Sequence, residues 1–250
     1  MKRQVALLLV AVQFLTRLPV PWARSLPVDS LAEAAHFFPI VGCIVGVGAV
    51  ALNRLLAPYA GRSAIVVVIL IYLVIITGGL HEDGLADAAD GFGGGWTKEQ
   101  VLTIMRDSRV GSFGVLAIVL GVLARFVLLA SLPAESFSGV LVAGQVLSRW
   151  TALPLGRWLP AAREHVGQGA RVAQRMSVVS LAAGTALMVG IVVAIMGAAA
   201  VWTIGVTAAV TAISGAYYRR RIGGITGDCL GATNQLTEIV VYLAGTLARG

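Results

Sequence analysis

The residues best suited to chemistry in this chain lie in one stretch, TGGLHEDGLADAADGFGGGWTKEQVLTIMRDSRVGSFG at 77–114. Six of the twelve acidic residues fall there: Glu82, Asp83, Asp87, Asp90, Glu99 and Asp107. Asp83, Asp87 and Asp90 follow at i, i+4 and i+7, so on a helix they lie within about 60° of one another around the axis. Three carboxylates on one face repel unless a cation sits among them, and an all-oxygen ligand set suits a hard ion such as Mg²⁺. His81 is a candidate general base or ligand, with a turn-stabilising hydrogen bond as its rival. Its helical angle points away from the Asp face. Asp107 and Arg109 read either as an ordinary surface pair or as part of a phosphate-reading site.

A second polar block, GGITGDCLGATNQ at 223–235, echoes the first, with Gly-Gly followed four residues on by Asp228. Glu238 lies well inside the apolar run that follows, where an ionisable residue usually faces a polar cavity or a partner. Arg125, in another apolar run, is its natural counterpart. Clustered carboxylates, arginines and glycine turns together fit metal-assisted phosphoryl transfer, in which a cation neutralises and positions a diphosphate. Gly-rich backbone approaches phosphates closely and offers N–H donors.

These residues must be positioned by helices in a bilayer. The chain is 58% hydrophobic and only 12% charged, with a mean hydropathy of +0.87, which excludes an ordinary soluble domain. Seven apolar runs approach or exceed the roughly 20 residues that cross a bilayer: 37–57, 63–80, 112–132, 137–155, 178–197, 199–218 and 229–247. The expected fold is therefore all-α, a polytopic helical bundle of about seven spans forming one membrane domain over 1–250. Residues 1–36 read as an interfacial or re-entrant segment, because the apolar run Val5–Leu15 is too short to span. A short helix carries Asp83 to Asp90, Gly91–Gly95 breaks it, and Thr97 with Gln100 forms a capping box that opens another. Gly42, Gly46 and Gly48 suit a close helix contact. Cys43 and Cys229 read as small buried residues in a reduced compartment.

A net charge of +7 raises nucleic acid as a partner, but its distribution argues against it. With seven spans, the N-terminal region, 81–111, 156–177 and 219–228 share one side and hold 14 of the 19 basic residues. The other side has Arg54, Arg62 and Arg249. Such a bias marks the cytoplasmic side, so Asp83, Asp107 and Asp228 are expected at one cytoplasmic surface. Arg219–Arg221 serve as a topology determinant.

FLTRLPVP at 14–21, FFPIVGCIVG at 37–46, GGLHEDGLADAADG at 78–91, IMRDSRVGSFG at 104–114, LSRW at 147–150 and GGITGDCLGATNQLTE at 223–238 together resemble the cobalamin synthase family, the adenosylcobinamide-GDP ribazoletransferases. The resemblance runs almost end to end and is weakest over 160–222. It implies a Mg²⁺-dependent transferase of the bacterial cytoplasmic membrane that joins adenosylcobinamide-GDP to α-ribazole, or to its 5′-phosphate, and releases GMP. On that resemblance Asp83, Asp87 and Asp90 are expected to bind the metal. The catalytic candidates are His81 as base and Asp107 and Asp228 as base or further ligands. Arg106, Arg109 and Glu238 are the substrate-binding candidates, the two arginines as phosphate contacts. The bilayer and the two substrates are the expected partners, and homo-oligomerisation is left open. Two rivals are a lipid-forming CDP-alcohol phosphotransferase, whose pattern of Asp-Gly followed by Ala-Arg is not met here because Asp83-Gly84 is followed by Ala86-Asp87, and a transporter built on Glu238 and Arg125.

Overall fold

The computed structural model describes residues 2–20, 30–163 and 176–247, and in it all seven apolar runs are built as helix. Arg24, Arg171, Arg175 and Arg249, which enter the charge count, lie outside the described residues, as does Pro21. The helices are α1 (Lys2–Leu15), α2 (Ser30–Ala34), α3 (Phe38–Leu56), α4 (Arg62–Thr77), α5 (Leu80–Gly94), α6 (Lys98–Ile104) and α7 (Ser112–Ser131), continuing with α8 (Ala134–Trp150), α9 (Ala152–Trp158), α10 (Val178–Met196), α11 (Ala200–Ile222) and α12 (Gly227–Leu247). Among the described residues there is no strand, only an isolated parallel bridge between Ala161 and Ile225.

Length and apolarity together select fewer crossings than seven. Ser30–Leu56, Ser112–Ser131 and the 45-residue stretch Val178–Ile222 are each long and apolar enough to cross a membrane, and α4 qualifies only when joined to α5. Two of the other expected spans divert their polar residues inward. α8 has 17 residues and buries Gln145, Ser148 and Arg149, while α12 buries Thr233, Asn234, Gln235, Thr237 and Glu238. These two helices are less apolar because their inward faces carry buried polar side chains. α1 is amphipathic, burying Leu7, Ala11, Val12 and Leu15, and its 14 residues extend only about 21 Å.

The centre of the bundle is the contact of α3 with α8. A Cβ at Gly42 would run into the Gln145 carbonyl, and one at Gly46 would stand 2.9 Å from the Val142 Cα. Small residues therefore let the two backbones meet. Gly48 instead faces the Tyr72 side chain on α4. A core of Phe38, Val41, Val45, Leu141, Leu147 and Tyr242 surrounds the contact.

The bend that sets α5 comes from two consecutive glycines. Gly78 (φ 67°) and Gly79 (φ 70°) are both left-handed, a conformation that costs an L-residue about 1–2 kcal/mol each. The chain turns by 87° between α4 and α5, so α5 is not a continuation of α4 along one axis. The Arg17 backbone N–H donates to the Ile76 carbonyl at 2.7 Å, and its guanidinium packs over Gly78, a cation at the negative end of α4.

α5 itself outruns the break expected at Gly91–Gly95 and continues to Gly94. Tertiary packing overrides the low helix propensity of glycine. Phe92 stacks on Tyr218 at 5.6 Å, and a Cβ at Gly91 or Gly93 would collide with Met105 or Phe113. Arg221 then donates to the carbonyls of Gly95 at 2.8 Å and Phe92 at 3.3 Å, tying down the end of α5. The Thr97–Gln100 capping box is present at the start of α6.

Candidate active site

Gly84 and Gly231 bring the two polar motifs together. A Cβ on Gly84 would stand 3.1 Å from the Gly231 Cα and 3.2 Å from the Asp228 Cα, so α5 and α12 cross in backbone contact. That crossing sets Asp83, from the first motif, beside Asp228, from the second. Both line a cavity of about 240 Å³ together with His81, Ser148, Arg149 and Asn234, and with Phe14, Leu15 and Phe38 on its apolar side. A more open cavity of about 640 Å³ adjoins it, sharing Phe14, Leu80 and Asp83 and lined also by Arg17 and Gly78. Because the smaller cavity meets the first turn of α5, His81 and Asp83 face it together despite their different helical angles.

The carboxylates here are crowded. Burial, then the charges of Asp228, Asp83 and Asp90, push the half-buried Asp87 up to about 6, with Arg163 pulling the other way. Asp228 is also raised, by burial first, while Arg163 and a hydrogen bond from Thr226 oppose the rise. The Arg163 guanidinium approaches Asp228 only to 3.7 Å, and Thr226 donates to the carboxylate at 3.1 Å. His81, 6% exposed, is held well below its ordinary value by burial and by the positive charges of Arg149 and Arg125, so its imidazole is neutral.

Asp90 departs from the expected set. Its two oxygens accept N–H bonds from Gly111 at 2.7 Å and Gly114 at 2.8 Å, capping the start of α7, and the side chain is buried. The shared helical face of Asp83, Asp87 and Asp90 therefore splits between a cavity and a neighbouring helix. Among the described residues no three His, Cys, Asp or Glu side chains are grouped to hold a metal ion.

Asp107 and Arg109 also part from the cavity. Arg109 closes on Asp107 with Nη2–Oδ2 at 2.6 Å, and its own backbone N–H donates to the same carboxylate at 3.0 Å. These bonds hold Asp107 down at about 2, and the arginine side chain is 86% exposed. Of the two readings open in the sequence, the geometry is that of a local surface pair. Arg106 is exposed, and neither it nor Asp107 nor Arg109 is among the residues lining either cavity.

Glu238 is buried away from the cavity and stands 3.6 Å from Arg125, the partner expected for it. Arg125 also pairs with Glu82 at 3.1 Å. From Glu238 the network continues through the Tyr242 hydroxyl, which donates to it at 3.4 Å, and Gln145, which donates to Tyr242 at 2.9 Å. It ends at Arg149, whose Nη1 donates to the Gln145 side-chain oxygen at 2.8 Å. Sequence reasoning missed Glu82, Gln145, Asn234 and Arg163, and gave Arg149 no role in the site. Position inside an apolar run was the available signal for Arg149 and Gln145.

Apolar helices of membrane-crossing length, around a cavity that sets carboxylates against a guanidinium, fit the class of helical transferases acting on phosphorylated substrates. Comparison narrows the class. The profile of the cobalamin-5-phosphate synthase family matches residues 7–246, and the chain belongs to that family. It is 40% identical to an adenosylcobinamide-GDP ribazoletransferase of Shewanella amazonensis, over 97% of this chain and 95% of the relative. A Ralstonia nicotianae protein of the same name is 39% identical over 93% of this chain and 91% of its own length. No solved structure matches the chain.

Proposed function

We propose that the chain joins the nucleotide loop of cobalamin: a ribose hydroxyl of α-ribazole, or of its 5′-phosphate, attacks the cobinamide-linked phosphorus of adenosylcobinamide-GDP. A P–O bond forms, the P–O bond to GMP breaks, and the hydroxyl proton passes to a base. The single observation that carries this reading is the Gly84–Gly231 crossing, which puts Asp83 and Asp228 from two separate family motifs on one cavity. Neutral His81 on the same wall is the group we assign to the proton, taken up at an imidazole nitrogen. The experiment is release of GMP from adenosylcobinamide-GDP and α-ribazole by membranes containing the chain.

The donor set suits Mg²⁺. This ion is commonly held by one or two carboxylates plus substrate phosphates rather than by a protein cage, and Asp83 and Asp228, with Asp87 beside them, offer crowded and incompletely compensated oxygens. When bound there it would neutralise the diphosphate and stabilise charge on the departing phosphate. Asp90, engaged at α7, supports the site through that helix instead.

We place the seven runs across the bacterial cytoplasmic membrane with the acidic segment facing the cytoplasm, on the strength of the 14-to-3 division of basic residues. The 87° turn into α5 agrees with a helix lying along that surface. Reporter fusions after Gly95 are expected to read cytoplasmic and one at Pro133–Glu135 external; a cytoplasmic signal at 133–135 removes this topology. The transporter reading draws on buried Glu238 and Arg125, but it calls for paired broken helices, and among the described residues one bent pair occurs.

The crossing has its own test. Gly84→Val removes no chemical group, yet it forces α5 from α12 and is expected to cost about 1–3 kcal/mol in stability and at least about tenfold in GMP release, a 1 Å misplacement being enough to cost about 100-fold. Thermal unfolding and initial rate check it together. A variant with wild-type rate would show that the approach of Asp83 to Asp228 is immaterial.

A further inference from the structure

The cavity that carries Asp83 and Asp228 is also lined by a buried cation that, among the described residues, has no carboxylate partner. Arg149 is 2% exposed. Its Nη1 is held by the Gln145 carbonyl at 3.0 Å and side-chain oxygen at 2.8 Å, but its Nε has no hydrogen-bond partner. Among the described residues no carboxylate reaches ion-pair distance of it, since Glu82 and Glu238 are both drawn to Arg125. A buried guanidinium without an anion carries an uncompensated desolvation penalty. Asn234 presents the opposite deficit on the same cavity: it is 3% exposed, and its Oδ1 accepts from nothing.

One group therefore lacks an acceptor and the other a donor, across a space of about 240 Å³. A phosphate oxygen next to a sugar hydroxyl satisfies both. The volume falls below the roughly 300–1,000 Å³ that encloses a whole drug-sized ligand, so it admits a diphosphate and part of a sugar while a corrin stays outside.

We infer that this cavity is the diphosphate subsite of the corrin-bearing substrate, with Arg149 gripping a phosphate oxygen and Asn234 accepting from a neighbouring sugar hydroxyl. The inference rests on the phosphoryl-transfer reading above and moves the phosphate contact from Arg106 and Arg109 to Arg149. It also gives the buried network a purpose. Glu238, Tyr242 and Gln145 hold the guanidinium by one edge so that the other edge faces the cavity. Asp83 and Asp228 occupy the acidic wall and Arg149 the basic one, so a diphosphate with its counter-cation meets complementary charge on both sides.

The test uses the full chain purified in detergent, at fixed Mg²⁺, with inorganic pyrophosphate as the binding probe. Arg149→Lys keeps the charge but loses the planar fork, and Asn234→Asp adds a negative charge at nearly constant volume. Each is expected to weaken pyrophosphate binding about 10- to 100-fold and to raise KM for adenosylcobinamide-GDP in parallel, with KM for α-ribazole within about twofold. Wild-type pyrophosphate affinity in both variants overturns the inference, as does an equal loss of α-ribazole binding. An arm independent of their folding uses Ala152→Cys on the cavity wall: pyrophosphate should slow its thiol labelling at least about tenfold over the background of Cys43, and unprotected labelling overturns the inference. Wild-type membranes that release no GMP would defeat the functional reading and leave the pyrophosphate results standing. GMP release with an unprotected cavity defeats this inference alone.

Discussion

Asp83→Asn and Asp228→Asn are each expected to lower GMP release by about 100- to 1,000-fold, the usual cost of losing one charged stabiliser of a phosphoryl-transfer transition state. Both side chains line the cavity, both lie where carboxylates repel one another, and an amide in place of either removes the charge that a cation would meet. Chelator should silence the wild type and added Mg²⁺ restore it. Asp90→Asn is the control on the same helix. Its oxygens serve the Gly111 and Gly114 N–H groups, so it should lose about 1–3 kcal/mol of stability with a much smaller fall in rate. The measurement is initial rate at saturating substrates with matched expression, alongside thermal unfolding. If Asp90→Asn were inactive at full stability while Asp83→Asn turned over normally, the division of labour along α5 would be wrong.

Arg125→Met is expected to have the largest effect on the fold. It strips the shared partner from Glu82, 13% exposed, and Glu238, 3% exposed, and breaking a buried ion pair from one side costs about 3–5 kcal/mol. Much of a small protein's total stability is of that order, so the variant should accumulate poorly and unfold at markedly lower temperature. Glu238→Gln should be milder, because Glu82 still stands 3.1 Å from Arg125. The decisive comparison is the triple variant Arg125→Met with Glu82→Gln and Glu238→Gln. Neutralising all three charges removes the unpaired pair and should recover part of the loss. A triple variant no better than Arg125→Met would mean that the packing of Arg125, not its charge, holds the bundle.

The sequence by itself determined which segments are helical, because apolar runs of that length must satisfy their backbone internally. The Thr97–Gln100 capping box was legible, since it is local chemistry. The meeting of the two Gly-Gly motifs was legible as well, since each carries an acid at the same offset and the charge bias led us to expect both on one side, and Gly84 does approach Gly231 and Asp228. Glu238 and Arg125 were matched because two opposite charges in apolar runs have few other partners.

Only the tertiary structure decided what each carboxylate touches. Helical periodicity fixes the angle of Asp83, Asp87 and Asp90 around their own axis, yet it says nothing of which neighbour covers that face. The N-terminus of α7 arrives over Asp90 and the cavity opens beside Asp83. Asp107 and Arg109, two residues apart, could reach a distant site or each other, and the turn between α6 and α7 closes them together. The value of Arg149 depended most on the fold. Its sequence position allowed snorkelling, but contact of α3 with α8 through Gly42 and Gly46 buries that stretch of α8, and a buried guanidinium with a free edge must look inward for its anion.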